Sequence, residues 1–450
     1  MADQRETIAA IATPPGTGGI GIVRISGPEA LSIAQKITGQ LPVPRHAGYC
    51  SFRDADNVII DRGLLLYFKA PVSYTGEDVV EFHGHGGQVV LNLLLGLTLT
   101  LGARIARPGE FTERAFLNGK LDLLQAEAIA DLINSKSEYA ARSALRSLDG
   151  EFSRAVSQLK ERIIAIRVYV EGALDFPEEE IDFLSRSDVG DRTVACINDL
   201  DVLISNARGG RVLNEGIRIA IIGRPNVGKS SILNRLSGAE RAIVTEVPGT
   251  TRDVIEDSIM IAGAFVNVVD TAGIHLTENP VEQEGIRRSR AEIDKADVVL
   301  LVTESGITLP RELQELQAMI PVAKQVILVE NKIDLNNVPP SRDSENGCIR
   351  IAMSARSGDG LELLFEALRE YAGLTDVMET PLLARTRHIM ALEETRKRLQ
   401  EGLKKNLEQH AAELFAEELH RAQVSLGEIT GEFGADELLA EIFAKFCIGK

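Results

Sequence analysis

The chain has 450 residues, 44% of them hydrophobic, enough for about three domains at roughly 150 residues each, with several cores. Forty-nine Lys and Arg against 66 Asp and Glu leave a formal net charge of −17, which argues against a broad basic surface for nucleic acid and requires any such ligand to use a local positive patch or a partner's surface. Cys50, Cys196, Cys348 and Cys447 lack paired spacing, which excludes a zinc ribbon or a disulfide framework and fits a reducing cytoplasm.

Nothing at Met1-Ala-Asp-Gln-Arg reads as a signal peptide, because no basic start precedes an apolar core. Residues 1–119 mix short β-like runs (Ile20 to Ile25, Val58 to Phe68, Asp78 to Phe82) with Gly- and Pro-rich turns, predicting an α+β domain. The longest apolar stretch, Val89 to Leu101, is too short and too interrupted to span a bilayer, and reads as a buried helix. Glu81, His83 and His85 alternate on one strand face, the spacing of a metal site. Three ligands without a fourth are weak, and a hydrogen-bonded turn is the better expectation.

From Leu121 the texture turns helical. Leu145, Leu148, Phe152, Val156, Leu159, Ile163, Ile166 and Val170 form one apolar stripe along a long helix, broken at Asp175-Phe-Pro-Glu-Glu-Glu180. A second helical segment reaches about Ala207, and Gly209-Gly210 marks a hinge. Helical spacing returns after Gly373, with Leu399, Leu403, Leu407, Ala411 and Leu414 on one face. Two separated stripes packing together would make one discontinuous helical domain, residues 120–214 and 375–450. The segment 215–374 is then an inserted α/β domain whose ends lie close together. The final segment is no basic appendix, since residues 376–450 carry 10 Lys and Arg against 14 Asp and Glu.

That inserted segment carries the chemistry. An apolar run, Ile217 to Ile222, leads into Gly223-Arg-Pro-Asn226-Val227-Gly228-Lys229-Ser230-Ser231. The glycines let successive backbone N–H groups wrap a phosphate, Lys229 reaches the β- and γ-phosphates, and Ser230 offers a hydroxyl to Mg²⁺ at a helix N-terminus. Gly249-Thr250-Thr251-Arg252-Asp253 supplies a threonine for the metal. The apolar run Ala264 to Val269 delivers Asp270-Thr271-Ala272-Gly273 for the metal and the γ-phosphate. Val326 to Val329 reads as a buried strand that delivers Asn331-Lys332-Ile333-Asp334, where a carboxylate accepts both the ring N–H and the exocyclic amino group of guanine. Adenine has no such donor pair. Ser354-Ala355-Arg356 follows the strand Ile349 to Ala352 as the loop that closes over the base.

The residue after Gly273 is Ile274, where Ras-like switches carry a water-orienting glutamine. Either hydrolysis is very slow or the water is held from elsewhere, the acidic stretch Glu278 to Glu284 being the nearest source of a carboxylate. Asn226 is a candidate ligand for a monovalent cation. Lys445 and Lys450 flank Cys447 closely enough to lower its pKa, while a small buried apolar role for that cysteine is as well supported.

Taken together, Thr7-Ile-Ala-Ala-Ile-Ala-Thr-Pro-Pro-Gly16, the phosphate loop, Pro248-Gly-Thr-Thr-Arg-Asp253 and Phe446-Cys447-Ile448-Gly449-Lys450 resemble the MnmE, or TrmE, family of tRNA modification GTPases from end to end. The resemblance implies a multidomain protein: an α+β N-terminal folate-binding-like and dimerisation domain, a discontinuous helical domain and an inserted α/β P-loop GTPase domain. It implies a homodimer whose GTPase domains pair in the presence of K⁺, held by Asn226, Thr245, Val247 and Thr250, with Ser230 and Thr251 on Mg²⁺. Glu246, Val247 and Pro248 would join the nucleotide loop, and Glu282 would activate the water. Arg24, Glu81, Lys120 and Lys450 would contact 5-formyltetrahydrofolate or a related folate, with Cys447 nearby as a participant in modification. Partners implied are tRNA and an FAD-dependent protein, MnmG, acting at C5 of the wobble uridine. An Era-like RNA-binding switch is the rival reading; it would carry a basic KH domain in place of the N-terminal domain and the terminal Phe-Cys-Ile-Gly-Lys.

Overall fold

The computed structural model describes residues 6–135, 137–175, 188–224, 226–239, 257–261, 264–270, 293–306, 320, 324–345, 348–371, 382–409, 411–432, 442–443, 446 and 449. They divide into two compact units. One is built from residues 1–130, 147–180 and 408–450, the other from 131–146 and 181–407.

In the first unit, alternation of apolar and polar residues builds a six-stranded sheet, ordered β3-β4-β5-β2-β1-β6. Its strands are β1 (Ile8–Ile11), β2 (Gly18–Ser26), β3 (Gly48–Arg53), β4 (Ile59–Phe68), β5 (Val79–Gly86) and β6 (Arg104–Ile105). Val23, Ile25, Val80 and Phe82 turn to one face, where α1 (Ala30–Thr38) and α2 (Gln88–Thr100) bury them. The intervening residues Arg24 and Glu81 turn to the other face and stand directly opposite each other in the β2–β5 register. The α+β expectation holds here. The Val89–Leu101 stretch is helical but buried on one side only, since Val89 and Leu93 are exposed while Leu91 and Leu94 are buried.

After α3 (Glu110–Leu117) and α4 (Leu123–Asn134), the stripe read as one long helix is two, α5 (Glu138–Leu148) and α6 (Glu151–Asp175). Gly150 takes a left-handed φ of +80°, the usual helix-terminating conformation, and breaks the stripe. The C-terminal stripe is likewise interrupted. One helix ends at Gln409 and the next begins at Ala412, leaving Leu414 largely exposed. This last helix, Ala412–Thr430, packs along α6.

In the second unit, α7 (Asp188–Glu215) runs without a break through Gly209-Gly210, so the expected hinge there is replaced by a continuous helix. The glycine has a different purpose. A Cβ on Gly210 would lie 1.6 Å from the Leu382 carbonyl oxygen, so only glycine lets the returning chain cross the helix this closely.

From α7 the chain enters a seven-stranded sheet, ordered β12-β13-β11-β10-β7-β9-β8. Its members are β7 (Ile217–Gly223), β8 (Asp257–Ile261), β9 (Ala264–Asp270), β10 (Val298–Glu304), β11 (Gln325–Asn331), β12 (Ser341–Glu345) and β13 (Cys348–Ala352). The five central strands are parallel, and β8 and β12 are antiparallel edges. The helices α8 (Lys229–Ala239), α9 (Ile333–Asn336) and α10 (Leu361–Tyr371) follow β7, β11 and β13. Strand order reverses around β7, with β9 on one side and the later β10 on the other. Open α/β sheets bind ligands at such a switch point, beyond the C-terminal ends of their strands. Beyond the sheet come α11 (Thr386–Gln409) and α12 (Ala412–Thr430). Arg208–Glu393 and Arg396–Asp201 ion pairs tie α7 to α11 within this unit.

Candidate functional site

The phosphate loop leaves the C-terminal end of β7 and closes at the N-terminus of α8. Asn226 (φ +63°) and Gly228 (φ +98°) are left-handed, which curls the backbone between strand and helix. Lys229 donates through Nζ to the carbonyl oxygens of Gly223 (2.8 Å) and Arg224 (2.9 Å), which places its ammonium over the loop. Ser230 and Ser231 begin α8 and are exposed, so both hydroxyls can reach a ligand at the helix terminus.

Around this loop opens a cleft of about 640 Å³, within the usual size of a small-ligand site. Gly228 and Ser231 line one end; Lys332, Asp334, Ala355 and Arg356 line the other. The candidate phosphate and base readers from three separated segments therefore meet in one cavity. Asp334 Oδ1 accepts a 2.6 Å hydrogen bond from Ser354 Oγ, which ties the carboxylate to the loop after β13. Lys332 has a left-handed backbone (φ +67°), and its ammonium pairs with Glu304 at the end of β10.

Asn331 takes a role that reading it as a ligand contact missed. The side chain is 2% exposed. Its Nδ2 donates to the Val227 carbonyl (2.8 Å) and its Oδ1 accepts from the Ala355 N–H (2.9 Å). One amide thus staples the phosphate loop to the base-closing loop. Gly228 must be glycine for the same reason, because a Cβ there would lie 2.2 Å from Asn331 Nδ2.

Arg235 and Asn234, on α8, also line the cleft, and neither belongs to a sequence motif. Thr245, Glu246, Val247, Pro248, Gly249, Thr250, Thr251, Thr271, Ala272, Gly273 and Glu282 lie outside the described residues, as do Cys447 and Lys450. Asp270 ends β9, next to β7 in the sheet.

A second constellation sits on the open face of the N-terminal sheet. Arg24 Nε donates to Glu81 Oε1 at 2.7 Å, and His83 Nε2 lies 2.9 Å from Glu81 Oε2. His85 turns away to Asp61 at 2.8 Å. All three residues lie in β5, so the expected turn is a strand. No cluster of three potential metal ligands occurs among the described residues. The Arg24 guanidinium stacks 5.7 Å from the rings of both Tyr74 and Phe111, and its Nη1 donates to the Gly449 carbonyl. A cavity of about 430 Å³ opens here, lined by Arg24, Tyr74, Glu81, Leu121 and Ile129 among others. Burial pushes the Tyr74 hydroxyl pKa up, which keeps it a neutral hydrogen-bonding group against Thr112. Lys120 is exposed and donates to the Pro71 carbonyl (3.1 Å), so the described neighbours of this cavity do not include its ammonium.

Phosphate loop, switch-point placement and a guanine-type carboxylate on one parallel sheet define a P-loop GTPase. Its particular kind follows from comparison with known proteins. Residues 7–120 match the family described as GTP-binding protein TrmE N-terminus, and residues 123–447 match the MnmE helical domain. The chain is 51% identical over 451 residues to the tRNA modification GTPase MnmE of Haemophilus influenzae strain PittEE, covering 99% of this chain and 100% of that one. It is 52% identical over 446 residues to the protein of the same name from Azoarcus sp. strain BH72, covering 99% and 98%. Among solved structures it is similar to the G domain of the T. maritima FeoB iron transporter (29% identity, 35% of this chain and 98% of that one, TM-score 0.26). A further likeness is to Aquifex aeolicus Era bound to GDP·AlF4⁻ (22%, 40% and 66%, TM-score 0.28). The chain belongs to the MnmE (TrmE) family of tRNA modification GTPases. No described helix is long and apolar enough to cross a membrane.

Proposed function

We propose that this GTPase is a K⁺-activated, cytoplasmic homodimer that hydrolyses GTP to drive modification at C5 of the wobble uridine of certain tRNAs, together with an FAD-dependent partner of the MnmG kind. The observation that carries this reading is full-length similarity to MnmE proteins combined with Ile274 where a water-orienting glutamine would stand. An aliphatic side chain cannot hold the attacking water, and the family resemblance assigns its positioning to Glu282 and charge neutralisation to cations.

The described residues fit the nucleotide. Phosphates would lie over the Asn226–Lys229 turn and the N-terminus of α8, with Lys229 released from its carbonyl partners to meet them, and guanine would face Asp334. Ser230 with Thr251 would hold Mg²⁺, and Asn226 with Thr245, Val247 and Thr250 would hold K⁺. These ions supply positive charge to the transferred phosphoryl group and its leaving oxygen. Order in the 245–253 loop would then follow nucleotide state, and through it the pairing of GTPase domains.

A folate fits the cavity over the N-terminal sheet on chemical grounds. The Glu81 carboxylate, on exchanging its Arg24 and His83 partners, suits a pterin N–H pair, aromatic and aliphatic walls suit the ring, and Arg24 suits the acidic tail, with Lys120, once released from the Pro71 carbonyl, and Lys450 joining it as the family resemblance implies. A folate supplies the one-carbon unit, and Cys447 would take part in the modification.

Steady-state GTP turnover in K⁺ and in Na⁺, across protein dilutions, tests the reading. Turnover is expected to need K⁺ and to fall on dilution, and Glu282→Ala should nearly abolish it with GTP affinity close to normal. Equal turnover in both salts at every dilution would refute it.

A further inference from the structure

The base-closing loop has a second anchor, besides Asn331, that comes from the phosphate side of the cleft. Arg235, six residues into α8 from Lys229, donates through Nε to the Ala355 carbonyl (2.9 Å) and through Nη2 to the Arg356 carbonyl (2.5 Å). A guanidinium is a planar fork with fixed donor directions, so gripping two successive carbonyls sets the orientation of both peptide planes. Each peptide is planar and trans, so fixing the Ala355 C=O toward α8 also fixes the Arg356 N–H on the opposite side. Ser354 immediately precedes this grip, and its hydroxyl holds Asp334 Oδ1.

We propose that Arg235 is a positioning residue for guanine recognition. From the helix that receives the phosphates, it holds the Ala355-Arg356 main chain and, through Ser354, aims the Asp334 carboxylate at the base. This proposal rests on the cleft being the guanine-nucleotide site.

The geometry also says what Arg235 does not do. Its hydrogen bonds end on loop carbonyls, which places its action on the loop. Its loss should therefore weaken the base half of the site while the phosphate loop, held by its own backbone and by Asn331, keeps its shape. A charge-assisted hydrogen bond partly open to water is worth roughly tenfold in an equilibrium constant.

The test compares dissociation of fluorescently labelled GDP and IDP from the full-length protein and from Arg235→Ala and Arg235→Lys. IDP lacks the exocyclic amino group that Asp334 reads. For Arg235→Ala the expectation is about tenfold faster GDP release, a smaller change for IDP, and hence a reduced GDP-over-IDP preference. Arg235→Lys, which keeps the charge but has no fork, should fall between. Unchanged GDP release in Arg235→Ala would overturn the proposal. So would equal weakening of both nucleotides, the mark of general loosening, as would a lysine variant no better than alanine. If the unaltered protein shows no preference for GDP over IDP, the guanine-site reading itself fails, which is a distinguishable result.

Discussion

Removing the Asn331 amide should separate the two halves of the nucleotide cleft. In Asn331→Ala, the Val227 carbonyl and the Ala355 N–H lose their shared partner. Both residues are buried, at 7% and 4% exposure. A buried backbone group left without a hydrogen bond costs about 1–3 kcal/mol, so two of them place the strain near 3 kcal/mol once local relaxation is allowed for. The free protein escapes that cost by letting the loops move apart and take up water, and bound nucleotide must then restore the order that the side chain formerly supplied. Affinity should fall by the same amount, roughly a hundredfold, since each 1.4 kcal/mol is a factor of ten. Titration of labelled GDP against wild type and variant measures this directly. A dissociation constant within threefold of wild type would show that the loops hold their relative position unaided, and the staple argument would fail.

Asp334→Asn should weaken GTP binding and admit xanthine nucleotides, because the replacement amide no longer accepts from the exocyclic amino group but can donate to a carbonyl in its place. Competition titrations with GTP and XTP check this, and undiminished GTP affinity would mean that another group reads the base. In the N-terminal unit, Glu110 is 2% exposed. Burial alone would raise its pKa, but two hydrogen bonds from Arg104, the Arg107 N–H and the charge of Arg114 outweigh burial and hold it down at about 2. A depressed folded pKa stabilises the fold fully above the unfolded carboxylate range, and this contribution, on the order of 3 kcal/mol, is lost as pH falls from about 4.5 toward 2. Denaturant melts of wild type and Glu110→Gln should converge over that window; a constant gap would contradict the assignment.

Which features were legible from sequence follows from the range over which each is encoded. The phosphate loop is local: an apolar strand, two spaced glycines and Lys-Ser lie within fourteen residues, and β7, its turn and α8 appear where the pattern places them. Asp334 was legible because a buried strand delivers it, and strand and carboxylate are again neighbours in sequence. Asn331 was found, and it lines the cleft, but its stapling role was not foreseen. Its partners, Val227 and Ala355, are 104 and 24 residues away, and no local pattern distinguishes an amide facing a base from one facing two backbone groups. Arg235 carried no signal at all, since an arginine in the second turn of an amphipathic helix looks like any solvated charge. Gly210 misled in the opposite direction. Two adjacent glycines suggest a hinge from propensity alone, yet what Gly210 provides is room for the Leu382 backbone, and the helix continues through both. At Gly150 the error was reversed, because the apolar period continues across a helix break that only the left-handed glycine reveals.

The same contacts explain how one nucleotide can be sensed from both ends. Val227 lies in the phosphate loop, Asn331 at the end of β11, Ala355 beyond β13 and Arg235 on α8, and α8 itself begins at Lys229. The bonds Val227–Asn331, Asn331–Ala355 and Ala355–Arg235 therefore close a ring through the helix back to the phosphate loop. In an open chain of contacts, each loop would adjust to its own half of the ligand independently. In a closed ring, moving the phosphate loop strains the base-closing loop by two routes, through an amide and through a guanidinium. Breaking either bond alone leaves the two loops joined by the other, so the two contributions should not be independent. Because the ring is made of side chains on backbone carbonyls and N–H groups, its geometry tolerates change in the residues it holds but not in the two that hold them, Asn331 and Arg235.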